Sequence, residues 1–309
     1  MKTYLVTGGA GFIGSNLCDY LINKGHNVIA IDNFISGNKK NIEHLIPNQK
    51  FSFIKHDVCK PIEIEKEIDF IYNLASPASP VDFEKYAIEI MMVNALGTKN
   101  VLDLAVEKKS IILETSTSEI YGDPLEHPQK ESYLGNVNCF GPRACYDESK
   151  RFSEALVFSY QEKFHLDAKI VRLFNTYGPK MRKDDGRVIP NMITQALANR
   201  PITVYGKGNQ TRSLCYISDI VEGLYKLINS GYNKPLNLGN PNEITMLNLA
   251  KKIKGISGSK SKIIFKKMPV DDPLRRNPDI SLAKNVLNWK PKVSLDAGLG
   301  KTVEWFMEN

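Results

Sequence analysis

Tyr146 and Lys150 stand four residues apart in "GPRACYDESKRFSEALVFSY", a stretch of helical composition, so the phenol and the ammonium project from one face. A phenol of ordinary pKa, about 10, is a poor base at neutral pH. A neighbouring cation favours the phenolate, which can then take the proton of an alcohol. The spacing alone means little, and two further motifs give it a setting. "TGGAGFIG" puts Gly8, Gly11 and Gly14 between an apolar strand and a helix, with Phe12 and Ile13 in the same turn. Without side chains there, the backbone can approach a pyrophosphate at the helix N-terminus. "TSTSEIYG" sets hydroxyls and the carboxylate of Glu119 directly after the apolar run "IILE", where an unpaired charge is costly.

These groups need elements to hold them. "TYLV", the glycine turn, a helix marked by Phe12, Ile13, Leu17, Leu21 and Ile22, and the strand "NVIAI" make one βαβ unit. The second strand ends at Asp32, followed by Asn33, where a carboxylate accepts hydrogen bonds from an adenosine ribose and repels a 2′-phosphate. NAD is therefore favoured over NADP. Asp57 and Val58 follow the next strand and are placed near the adenine, while Leu74 and Ala75 in "NLAS" end a strand beside the cofactor edge. In this setting Tyr146 removes a hydroxyl proton as hydride leaves the same carbon, Lys150 holds the nicotinamide ribose, and Thr117 hydrogen-bonds the reacting oxygen.

Apolar runs at "FSFIKHD", "DFIYNLAS", "SIILETSTS", "LDAKIVRLFN" and "KPLNLGN" alternate with helix-like stretches. The pattern predicts an α/β fold, a Rossmann-type doubly wound parallel sheet with a smaller α/β C-terminal domain. The NAD-binding domain is expected over 1–175 and the substrate domain over 176–309, with part of 211–240 returning to the first. The 309 residues, 42% hydrophobic and 24% charged, suffice for a full core. No apolar run reaches the about 20 residues of a membrane span, and "TYLVTGG" has no signal-peptide character, so a cytoplasmic protein without membrane contact is expected. Five cysteines without a CxxC and five histidines without an HExxH predict free thiols and no metal. The net charge of +7 is concentrated between Lys251 and Lys292, without interleaved stacking aromatics, which predicts a solvated basic face and no nucleic-acid binding.

Taken together the motifs resemble the extended short-chain dehydrogenase/reductases that act on nucleotide sugars, over essentially the whole chain. "NLASPASP", "TSTSEIYGDPLEHPQKESY", "GPRACYDESKR", "QTRSLCYISDIVEGL", "NLGNPNEIT" and "DDPLRRNPDISLAKNVLNWKPKVSL" look like the UDP-glucuronate decarboxylase branch. Departures are local: Ser149 where glycine is usual, "NCFGP" for "NPIGP", and "SLCY" where an aromatic commonly follows the serine.

The resemblance implies C4 oxidation of UDP-glucuronic acid, loss of carbon dioxide from the β-keto acid, and re-reduction to UDP-xylose with NAD recycled. Glu119 would lie near the sugar carboxylate, orienting it by charge or delivering a proton to C5 when protonated. The related 4,6-dehydratases carry an Asp-Glu pair where this chain has Ser118 and Glu119, so their acid is missing; Ser118 is assigned to the substrate. By the same resemblance Arg187, Val188, Asn191 and Tyr205 enclose the uridine, Asn175 meets the phosphate or sugar, and Arg212, Arg275 and Arg276 face the diphosphate. Arg276, before "NPDI", is the better placed to reach the sugar carboxylate. A homodimer through the "NALGTKNVLDLA" and "KRFSEALVFSYQEKF" helices is implied. The alternatives are a UDP-sugar 4-epimerase, an oxidative decarboxylase releasing a 4-keto pentose and NADH, or a non-catalytic dinucleotide sensor.

Overall fold

The computed structural model describes residues 1–267 and 275–309. Seven runs rich in apolar residues form one parallel sheet: β1 (Thr3–Thr7), β2 (Asn27–Asp32), β3 (Phe51–Lys55), β4 (Phe70–Asn73), β5 (Ile111–Thr117), β6 (Ala168–Leu173) and β7 (Pro235–Leu238). Their spatial order is β7-β6-β5-β4-β1-β2-β3. The chain reverses its direction of growth between β1 and β4, and the crevice at the carboxyl ends of those strands is where such sheets bind ligands. Register brings three polar side chains into line at that level: Thr7 pairs with Asn73, and Asn73 with Glu114.

Both faces of the sheet are covered, as continuous apolar strands require. Tyr4, Val6, Val28, Ala30 and Tyr72 belong to the core on one side, and their alternates Leu5, Ile29, Ile31 and Ile71 to the core on the other. Against the first face lie α1 (Phe12–Asn23), through Leu17 and Leu21, and the helix over Ile217–Ile228, through Ile220, Leu224 and Leu227. Against the second lie α2 (Thr98–Lys108), through Val101, Leu102 and Ala105, and α3 (Ala144–Phe164), through Val157 and Tyr160.

The helix preceding α2 covers Ala87–Met92 and enters α2 through a π-turn at Val93–Gly97. This widened turn directs buried Asn94 inward, where its amide donates to the Ser149 hydroxyl at 2.9 Å. Ser149 is thus fitted into a hydrogen bond that a glycine would not make.

After β6 the chain leaves the main sheet. Thr176–Tyr177 pairs with Cys215–Tyr216, so the strand expected in "SLCY" joins a two-residue ladder beside the sheet and only the helix after it packs on the sheet itself. Helix α4 (Val188–Leu197), the ladders of 202–205 with 263–266 and 211–213 with 243–245, and the helices over 246–256 and 295–308 complete the C-terminal part. Met192, Ile202, Leu249, Trp289 and Leu299 join these elements to the first-face core. Trp289 is fully buried and its indole donates to the Asp219 carbonyl at 2.9 Å.

Candidate active site

The glycine turn has the shape a pyrophosphate needs. Gly8 adopts φ +66°, open to glycine at no steric cost. A Cβ there would meet the Leu74 carbonyl oxygen at 2.8 Å, and one on Gly14 would collide with the Gly8 carbonyl. The turn is closed by the Gly11 amide donating to the Gly8 carbonyl at 3.0 Å, and Gly11 is the N-cap of α1 without a side-chain cap, so its first amides are open to an anion. Asp32 accepts from the Ala10 and Phe34 amides at 3.0 and 2.7 Å, and a Cβ on Gly37 would come within 2.8 Å of both its carboxylate oxygens. Gly37, which the sequence did not single out, is therefore a position where a side chain would strike the Asp32 carboxylate. Burial pushes the Asp32 pKa up, against the pull of its backbone donors. Asn33 and Asp57 cap their own turns, accepting from Ile35 and Cys59 amides, and the Val58 carbonyl accepts from Asn100. The turn and its neighbours fit a dinucleotide.

At the end of β5, Thr117 caps a 3-10 turn over Ser118–Tyr121, its hydroxyl accepting from the Glu119 amide at 3.2 Å. Tyr146, in the first turn of α3, stacks on Phe83 with ring centroids 5.1 Å apart. Its phenol lies close enough to the Thr117 side chain for that hydroxyl to lower its pKa. Burial raises the Tyr146 pKa well above the ordinary range, and the Glu119 charge adds to this; the neighbouring Thr117 hydroxyl and Arg187 act the other way.

Lys150, one turn on, donates to the Thr115 carbonyl at 2.7 Å and to Glu114 at 3.3 Å. Glu114 is fully buried and accepts from Asn73 at 2.6 Å; Asn73 accepts from Thr7 at 2.7 Å; and Thr7 accepts from the Leu74 and Ala75 amides. A hydrogen-bonded line thus joins the lysine to the strand end predicted to line the cofactor. Glu114 read in sequence as the end of an apolar run, and its partner lies 36 residues away.

The placement of Glu119 has a clear cause. Its two carboxylate oxygens accept separately from Arg143 and Arg276. Burial pushes its pKa up, but the two guanidiniums more than offset that and hold it at about 2. Arg276 is 4% exposed, and its Nε and Nη2 are buried with no hydrogen-bond partner. Arg143 was not among the expected site residues, nor was Asp147, which lies 3.8 Å from the Arg143 Nε.

The remaining expected residues are more scattered. Asn175 has a buried side-chain amide nitrogen without a partner. Ser118 is buried, Arg187 is paired with Asp185, and Asn191 donates to the Gly186 carbonyl. Val188 opens α4, Tyr205 is 42% exposed, and Arg212 donates to the Thr211 carbonyl. Arg275 is exposed while Arg276 points inward, which separates the two. Among the described residues no cluster of His, Cys, Asp or Glu has metal-binding geometry, and no helix is long and apolar enough to cross a membrane.

Residues 4–239 match the NAD dependent epimerase/dehydratase family. The chain is 51% identical to UDP-glucuronic acid decarboxylase 1 of Arabidopsis thaliana, covering 98% of this chain and 69% of that protein. It is 48% identical to UDP-glucuronic acid decarboxylase 1 of Danio rerio, covering 99% and 72%. Among solved structures, UDP-glucuronic acid 4-epimerase from Bacillus cereus, in complex with UDP-glucuronic acid and NAD, superposes with a TM-score of 0.89 at 30% identity over 99% of both chains. The dTDP-glucose 4,6-dehydratase DesIV from Streptomyces venezuelae, with NAD bound, gives 0.91 at 26% identity over 99% and 97%.

Proposed function

The chain belongs to the NAD dependent epimerase/dehydratase family, and on that footing we propose that it converts UDP-glucuronic acid to UDP-xylose and carbon dioxide through a C4 ketone. The observation that carries the reading is Glu119 clamped between Arg143 and Arg276 near Tyr146 and Thr117, in a chain about half identical to UDP-glucuronic acid decarboxylases.

NAD, which the glycine turn and Asp32 would hold, would supply the hydride acceptor and donor for C4. Tyr146 takes the C4 hydroxyl proton while Thr117 holds the same oxygen. The resulting ketone is β to the C6 carboxylate, so loss of carbon dioxide moves the bonding pair into an enolate at C4. Tyr146, now protonated and buried, donates a hydrogen bond to that oxygen. Arg276 offers its two unpartnered nitrogens to the sugar carboxylate, and guanidinium suits that task because its planar fork matches two oxygens. Before the sugar enters, Glu119 holds Arg276 in place. Held ionised in the free site, it presents a negative charge that orients the arriving sugar.

We also assign the protein to the cytoplasm as a homodimer. All five cysteines are free, and the two stretches named for self-association expose Leu96, Phe152 and Phe158.

The test is UDP-glucuronic acid labelled with carbon-13 at C6, supplied with NAD. Labelled carbon dioxide is the expected product, and label retained in an epimerised UDP-hexuronic acid would replace this reading with the epimerase one.

A further inference from the structure

The proposed reaction leaves a proton debt. Carbon dioxide departs without one, and the proton that Tyr146 takes from the C4 hydroxyl returns to that oxygen, so the hydrogen added at C5 comes from elsewhere in the site and ultimately from water. Glu119 is the nearest carboxyl to the sugar carboxylate in the reading above. With both oxygens taken by guanidinium donors it carries no proton of its own.

Asp147 does not share that restraint. It is 5% exposed, in the first turn of α3 beside Tyr146, and its Oδ1 is buried with no hydrogen-bond partner. Its other oxygen lies 3.8 Å from the Nε of Arg143, whose Nη2 donates to Glu119. The two carboxylates thus flank one guanidinium. Arg276, on the far side of Glu119, keeps two donors unpartnered that the sugar carboxylate would engage. A second carboxylate, 3.8 Å from the clamp's Arg143, is therefore built into the same buried cluster.

Resting on the decarboxylase reading, we propose that Asp147 is the proton store for C5, passing its proton through Glu119. When Arg276 turns to the sugar carboxylate, Glu119 loses one of its two guanidinium donors and becomes the more basic partner. The Asp147 O–H bond breaks as an O–H bond forms on Glu119. That bond then breaks as the enolate pair at C5 forms the new C–H bond, and the C4 carbonyl is restored for reduction. The Asp147 carboxylate takes the next proton from water, so each turnover consumes one proton and releases one carbon dioxide. Asp147 acts through Glu119 and is a positioning and relay residue.

The charged and titratable groups around it agree with this role. Burial raises the Asp147 pKa most, followed by the Glu119 charge, with Glu148 adding; Arg143 and Arg276 pull it down; and the balance stands at about 7. Tyr146 and Cys145, its neighbours on α3, are both raised by burial first and also by the Asp147 charge, so neither is a competing donor of comparable acidity. An acid that titrates near the working pH is the one best able both to give and to regain a proton.

The experiment is a single turnover of the full-length enzyme with NAD and UDP-glucuronic acid in heavy water, for wild type, Asp147→Asn and Asp147→Glu. Carbon dioxide release, absorbance of the reduced nicotinamide and UDP-xylose are followed together. In Asp147→Asn the ratio of carbon dioxide release to UDP-xylose formation should rise about tenfold or more, with reduced nicotinamide accumulating in between, because the lost group acts only after decarboxylation. Asp147→Glu should restore the ratio toward wild type. In wild type alone, UDP-xylose formation should decline above about pH 7 while carbon dioxide release does not decline in parallel. Equal slowing of both processes in Asp147→Asn, or no change in either, would overturn the proposal, as would parallel wild-type pH profiles. Absence of carbon dioxide from the wild-type enzyme would refute the decarboxylase reading itself, a distinct result.

Discussion

Glu119→Gln removes one charge from the centre of the site and almost no volume. Arg143 and Arg276 are then left facing an amide, and Asp147 becomes the nearest remaining carboxylate. The Glu119 pKa falls from 4.5 to about 2 in the folded protein, a difference worth about 3 kcal/mol of stability at neutral pH. Its side chain is only 14% exposed, so little of this is lost to solvent screening. Breaking a buried ion pair from one side costs about 3–5 kcal/mol. Relief of the repulsion between Glu119 and Asp147 offsets part, and about 2–3 kcal/mol is the net expectation.

The sign with pH is fixed by the depressed folded pKa. The stabilisation is fully present above the unfolded value of 4.5 and is lost as pH falls toward 2. Urea unfolding of wild type and variant at pH 7 and again near pH 3 should therefore show a gap that shrinks by about half or more at the lower pH. Adding Arg276→Met to Glu119→Gln should recover part of the loss, because the orphaned guanidinium is then removed. A gap equal at both pH values, or no gap at pH 7, would refute the assignment of Glu119 as an ionised clamp.

Other consequences follow from single contacts. Gly14→Ala forces a Cβ into the Gly8 carbonyl, and NAD affinity measured by calorimetry should fall by about tenfold or more, since neither backbone segment can yield cheaply. Unchanged affinity would remove the glycine turn from the cofactor site. Tyr146→Phe keeps the stack on Phe83 but loses the phenol; kcat should fall by about 10²–10⁴ with UDP-glucuronic acid binding retained, and a near-native kcat would exclude Tyr146 as the base. Phe152→Glu, at a side chain 51% exposed on α3, should convert a dimeric mass in light scattering to a monomeric one at micromolar concentration, whereas a wild-type monomer would contradict the homodimer.

Much of this was legible from sequence because the relevant relations are local. The turn from Gly8 to Gly14, the strand ending at Asp32 and the four-residue step from Tyr146 to Lys150 each need only one element or one βαβ unit to be read. The clamp on Glu119 is a different kind of fact. Arg143 and Arg276 lie 24 and 157 residues from it in the chain, and nothing in a periodicity reports such a distance. Glu114 was hidden by its own surroundings, since a carboxylate closing an apolar run looks like a strand end until Lys150 and Asn73 are seen on either side. Asp147 was overlooked beside Tyr146 because an acid in the first turn of a helix has an ordinary explanation in the helix dipole. The π-turn at Val93–Gly97 also left no trace, as its residues continue a helical pattern.

Decarboxylation with a recycled cofactor is checked by NMR of the purified protein with NAD and UDP-glucuronic acid. Anomeric sugar signals and dissolved carbon dioxide are followed while absorbance reports reduced nicotinamide. UDP-xylose and carbon dioxide should form in equal amounts with no net reduced cofactor. A 4-keto pentose with stoichiometric reduced cofactor would contradict the recycling, and an absence of carbon dioxide would contradict the decarboxylation.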